Sequence, residues 1–123
     1  MEKAIRILLA NRPRLMRELI RATFAEQSDL EIVGEAGNDE DALKFVDETF
    51  PDVVVVALEE PGRRPKLCDE VLHDHPNIRV IGITERQNYS VFYWATFEIH
   101  EARIDASEEG ILEAVRGQRD FKG

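Results

Sequence analysis

The chain has 123 residues, 43% of them apolar and 33% charged, which suits one soluble domain with a real hydrophobic core. A net charge of −9 argues against a nucleic-acid surface and against adsorption to anionic lipid, because phosphate contacts need clustered Lys and Arg. The single cysteine, Cys68, forms no internal disulfide, no apolar run approaches the roughly 20 residues of a membrane span, and the N-terminus lacks a signal-peptide pattern, so a cytoplasmic domain is expected.

Apolar runs and amphipathic segments alternate. Ala4–Ala10 reads as a strand, followed by a helix over Pro13–Gln27 with Leu15, Met16, Leu19, Ile20 and Phe24 at helical spacing. Leu30–Gly34 is the second strand, and Asn38 or Asp39 caps a helix carrying Ala42, Leu43 and Val46. Pro51–Ala57 is the third strand, whose consecutive valines suit a central position covered on both faces. A loop with Pro61, Gly62 and Pro65 leads to a helix over Leu67–Asp74. Ile78–Ile83 is the fourth strand, Asn88–Ile99 a fourth helix, and Ala102–Ile104 a brief fifth strand. Ser107 caps a last helix over Glu108–Arg116, with acidic residues in its first turn as the helix dipole prefers. Strict alternation predicts a flavodoxin-like (βα)5 fold: a doubly wound α/β parallel sheet in the order 2-1-3-4-5. Residues 1–117 form this domain, and 118–123 are a tail or the start of a linker.

The third strand carries the most information. An open α/β sheet places its chemistry at the carboxyl ends of its strands. The residue standing at that end is Ala57, whose methyl group can neither attack, ionise nor hold a metal.

The chain resembles the receiver domain of bacterial response regulators, especially those that precede a LuxR/NarL-type DNA-binding module. The matching pieces include Ile5–Ala10 with Leu15, Arg17 and Glu18, then Glu31–Gly37, Ala42-Leu43 and Pro51–Val56 with Pro61-Gly62. His75-Pro76, Ile78–Thr84, Asp105-Ala106-Ser107 and Ile111–Arg116 extend the likeness over nearly the whole chain. The weak stretch is Glu85–Arg103, which is shorter than in the family and lacks its Ala-Gly-Ala segment. The resemblance implies an acidic pair after strand one that helps bind Mg²⁺, a phosphate-accepting Asp ending strand three, a Thr ending strand four and a Lys ending strand five. A phosphoryl donor approaches a carboxylate only if a hard cation and donors neutralise the crowded charge.

At those positions this chain carries Asn11 and Arg12, Ala57, Thr84 and Ile104, so only the threonine remains. Arg12 puts a positive charge where the metal would sit, and Ala57 removes both nucleophile and metal ligand. A lysine at position 104 would face no phosphate and no Asp, an unpaired buried charge. A register slip that let Glu59 or Glu60 act instead conflicts with Pro61-Gly62, which stand at the family's spacing from Ala57. The expected function is therefore that of a pseudo-receiver: a non-enzymatic, phosphorylation-independent signalling domain, needing no cofactor or metal, which acts through protein contacts. It also suits the input domain of a transcription regulator. The alternative is a sensor of a small anionic ligand, with Arg12, Asn11 and Thr84 converging in the vacated pocket. Against this, Arg12 has Glu59, Glu60, Glu85 and Asp105 as candidate partners that would close the cleft.

Tyr89, Tyr93, Phe97 and the nearby Trp94 form a second apolar face on the expected fourth helix, opposite Val91, Phe92, Ala95 and Ile99. A helix apolar on two faces is buried on two faces, which points to a homodimer or a protein partner docking there. His73, His75 and His100 lack the spacing of a metal site. Cys68 beside Lys66 reads as a helix-packing residue rather than a reactive thiol. The basic run Arg63-Arg64-Pro65-Lys66 is a solvated loop or a local docking point.

Overall fold

The structure is a computed structural model, and it describes residues 3–59, 62–84, 90–95 and 99–117. Among the described residues it has strands β1 (Ile5–Ala10), β2 (Leu30–Glu35), β3 (Val53–Ala57), β4 (Arg79–Ile83), β5 (Ser90–Ala95) and β6 (Ile99–Ile104). The helices are α1 (Arg14–Ala25), α2 (Asp39–Thr49), α3 (Lys66–Asp74) and α4 (Glu108–Val115). They build one six-stranded sheet in the order β2-β1-β3-β4-β5-β6. The pairs β1–β2, β1–β3 and β3–β4 are parallel, whereas β4–β5 and β5–β6 are antiparallel.

The doubly wound half follows directly from the sequence pattern. All five residues of β3 are buried because the strand is covered on both faces. Val54 and Val56 join Leu8, Val46 and Val71 in the layer shared with α2 and α3. Val53 and Val55 join Ile7, Leu9, Phe24 and Ile111 in the layer shared with α1 and α4. Burying an aliphatic side chain contributes roughly 1.5–3 kcal/mol, so this strand is the main anchor of both layers. Asn38 caps α2 by accepting the Asp41 N–H at 2.8 Å, and Ser107 caps α4 by accepting the Gly110 N–H at 3.1 Å. Arg116, just past α4, donates to Asp29 at 2.7 Å and to Gln27 at 2.9 Å, fastening the end of α4 to the segment before β2.

The second half departs from the expected (βα)5 layout. Within the expected helix Asn88–Ile99, residues Ser90–Ala95 form β5, an antiparallel strand inserted between β4 and the final strand. The physical reason lies in Ser90-Val91-Phe92-Tyr93-Trp94-Ala95, a run of β-branched and aromatic residues that fits a pleated surface. Val91 and Tyr93 face the α2/α3 layer, while Phe92 and Trp94 face the α1/α4 layer. When both faces are covered the run is apolar throughout, and a period of 2 cannot be told from a period of 3.6. The brief fifth strand becomes the six-residue β6, which pairs with β5 from Ser90↔Ile104 to Ala95↔Ile99.

Gly82 in β4 makes room for Leu58, the residue that leaves β3. A Cβ at position 82 would lie 2.6 Å from Leu58 Cγ. Leu58 is itself pinned, since its N–H donates to the Ile83 carbonyl at 2.9 Å. Gly82→Ala should therefore lower the unfolding free energy by about 1–3 kcal/mol, the usual range for overpacking, read as a lower urea midpoint with an unchanged slope. Cys68 is fully buried, and burial pushes its thiol up to about 12. A thiol reagent at about pH 8 should leave the native protein unmodified and label it once it is unfolded.

Candidate functional site at the strand ends

Strand register brings the expected site positions to one rim of the sheet. Ala10 of β1 pairs with Val56 of β3, so Asn11 follows β1 beside Ala57. Ala57 pairs with Ile83, which puts Thr84 directly beyond the end of β4. The same rung continues from Ile83 to Ser90 and from Ser90 to Ile104. Asn11, Arg12, Ala57 and Thr84 thus lie together as the sequence suggested. Ile104 does not join them, because β5 intervenes. Three strand spacings separate it from Ala57, about 14 Å rather than the roughly 10 Å of a 3-4-5 order. Ser90 stands next to β4 in its place, buried, and its hydroxyl has no hydrogen-bond partner among the described residues.

The charges at the rim are already matched. Arg12 donates to Asp39 at 3.4 Å and to Glu59 at 3.2 Å. Glu59 is one of the partners the sequence offered. Asp39 is not, and it arrives because the start of α2 lies beside the end of β1. Glu60 and Glu85 lie outside the described residues. Arg17 donates to the Asn11 carbonyl at 3.2 Å and to Glu35 at 3.2 Å, steadying the turn after β1. The Asn11 side chain is fully buried, and neither amide atom has a hydrogen-bond partner among the described residues. A buried amide left so costs on the order of 1–3 kcal/mol. Thr84 is buried as well.

Above Ala57 lies a cavity of about 440 Å³. Val56, Ala57 and Leu67 form its apolar floor, and the cations Arg12, Arg63, Arg64 and Lys66 with the carboxylates of Asp39 and Glu59 form its rim. Arg64 is ion-paired with Asp69, which holds its guanidinium firmly protonated. The basic run after Gly62, which the sequence marked as a solvated loop or docking point, therefore edges the cleft. Its placement depends on where α3 begins in space, which no local pattern encodes. A larger groove of about 950 Å³ runs along α3 towards Ala95 and Ile99, away from the strand ends.

The donor set does not suit magnesium. Among the described residues the Asn11 amide oxygen, without a partner, is a weak ligand, the Ala57 side chain offers none, and Arg12 adds a cation held at the rim by two carboxylates. Among the described residues no group of three or more His, Cys, Asp or Glu side chains could hold a metal ion. Two of the three histidines have other contacts: His75 lies 3.1 Å from Asp47, and His100 stacks on Trp94 with ring centroids 5.2 Å apart.

The expected interface on a fourth helix needs correction. Tyr93 is buried in the α2/α3 layer instead of presenting an outer face. Trp94 is half-buried, stacked between Phe92 at 5.5 Å and His100. Tyr89 and Phe97 lie outside the described residues.

No family model matches the chain. It is 39% identical over 81 residues to the transcriptional regulatory protein YhcZ of Bacillus subtilis and 33% identical over 81 residues to the response regulator GacA of Pseudomonas viridiflava. Each match covers 65% of this chain and 38% of the relative, so the chain spans well under two thirds of the curated relatives it matches. Among solved structures, the signal receiver domain of the response regulator NarL from Mycobacterium tuberculosis superposes with a TM-score of 0.61 at 22% identity, covering 70% of each chain. No helix among the described residues is long and apolar enough to cross a membrane. By sequence and by fold, this chain is a homologue of the receiver domains of two-component response regulators.

Proposed function

We propose that this chain is a pseudo-receiver, a signalling domain of response-regulator type that works without phosphorylation and through protein–protein contacts or self-association. The observation that carries the reading is Ala57. It ends the central strand at the rim, only 9% exposed, where the family's chemistry needs a carboxylate. A phosphoryl group has no nucleophile to form a bond with there.

The neighbouring residues support the same reading by independent routes. Arg12 occupies the metal's corner and is balanced by Asp39 and Glu59, so the electrostatic demand that Mg²⁺ would meet is already met. Glu59 is no substitute nucleophile: it is 71% exposed, past the strand end, and engaged with Arg12. The position of the family's lysine is apolar and one strand further out. In an ordinary receiver, phosphate draws the threonine and an aromatic residue on the last parallel strand inward. Here that strand reads Ile99-His100-Glu101-Ala102-Arg103-Ile104, with no phenyl or phenol ring to move. A conformation biased by a partner's differential affinity is the form of regulation left to it. The likeness to YhcZ, a transcriptional regulatory protein, supports a role as the input domain of such a regulator.

The rim supports a second reading, an anion sensor. Four cations converge on one cavity in a chain whose net charge is −9. Such a cavity would take a phosphate or a carboxylate, held by charge-assisted hydrogen bonds over an apolar floor.

Incubation with acetyl phosphate and Mg²⁺ followed by intact-mass measurement should show no added phosphoryl group on the wild-type chain. Ala57→Asp should also stay unmodified, because Arg12 and the displaced last strand persist; a phosphorylated Ala57→Asp would show that the rest of the site survives. For the second reading, inorganic phosphate and pyrophosphate should raise the thermal midpoint of the wild type and not that of Lys66→Ala. Equal shifts in both proteins would remove the sensor.

A further inference from the structure

The edge strand β6 carries a charge pattern that matches itself. Among the described residues β6 has a single strand neighbour, β5, and forms one margin of the sheet. Its two charged residues, Glu101 and Arg103, are exposed and lie on the same face, since they pair with Tyr93 and Val91 of the α2/α3 layer. Exposed charges on an edge strand ordinarily discourage pairing with another chain. Here their order matters.

A closed two-fold dimer formed by joining two copies of β6 edge to edge is antiparallel, so each residue faces a residue of the second copy with the same side-chain direction. Three central registers are then available. Centring on Glu101 sets Glu101 against Glu101. Centring on Arg103 sets Arg103 against Arg103 and Glu101 against Asp105. Like charges directly opposite one another are destabilising. Centring on Ala102 sets Glu101 against Arg103 twice, His100 against Ile104 twice, and methyl against methyl on the axis. Among registers that pair at least three residues of β6, this is the one that sets opposite charges against each other, twice, with no like-charge pair.

We propose that a second copy of this chain docks at β6 in the register centred on Ala102, extending the two sheets into one. This deepens the reading of the domain as one that acts through contacts, and it needs no phosphate. The surface differs from the expected fourth-helix face, whose Tyr93 is buried.

Sedimentation equilibrium of the whole chain across a concentration series should show a monomer–dimer equilibrium. Glu101→Arg should weaken it by about tenfold or more, since the symmetry turns two attractive pairs into two repulsive ones. The double variant Glu101→Arg with Arg103→Glu restores opposite charges in the same register and should dimerise like the wild type, which also controls for folding. Ala102→Cys should form a disulfide-linked dimer under mild oxidation, and the wild type should not, because Cys68 is buried. A wild type that stays monomeric at every concentration overturns the proposal. So does a dimer unaffected by Glu101→Arg and not cross-linked through Ala102→Cys. Either result leaves the acetyl phosphate outcome, and the reading built on it, standing.

Discussion

The two-sided burial of β3 is the constraint on which the remaining structure depends. Its valines alternate between two apolar layers, so a slip of one residue would exchange every contact of both. That fixes the register of β1 on one side and β4 on the other, and with it the height at which their ends emerge. The rim is a by-product of this packing. The cleft is thus set by side chains that lie deeper in the sheet, not by the residues standing at the strand ends.

Charge at that rim follows from the same geometry. Arg12 finds Asp39, 27 residues away, and Glu59, 47 residues away. Exposed pairs of this kind contribute little stability individually, roughly 0–1 kcal/mol. Their effect is better described as neutralising the cleft's entrance than as holding the fold. The Asn11 amide behind them, without a hydrogen-bond partner among the described residues, is a local cost in a core that is otherwise well packed.

Much of this was legible from sequence, for identifiable reasons. The first four strands and the helices α1, α2, α3 and α4 announce themselves by apolar spacing, by the caps Asn38 and Ser107 and by the valine run. The corner positions Asn11, Arg12, Ala57 and Thr84 come from the resemblance to receiver domains, with Pro61-Gly62 fixing the spacing from Ala57. Two things resisted. The segment Ser90–Ala95 is apolar on every side, and periodicity is silent when there is no polar face to contrast with. Its β-branched and aromatic composition was the available signal, together with the shortened stretch that contains it. Asp39 as a partner of Arg12, and the basic rim, were the other gap, since both depend on where helix starts fall in space rather than on any local motif.

The hairpin at the end of the sheet has a consequence for how the domain assembles. A parallel neighbour for β4 demands a crossover of a dozen residues or more before the first contact is made. Ala95 and Ile99 pair although only three residues lie between them in sequence, so far less chain is closed, and closure entropy rises with loop length. Ser90–Ile104 can zip up on its own early, as a local unit, and then be captured by β4. With a strand where the alternating pattern would put a helix, one flank of the sheet is built from contacts near in sequence, and among the described residues β6 is its outermost strand.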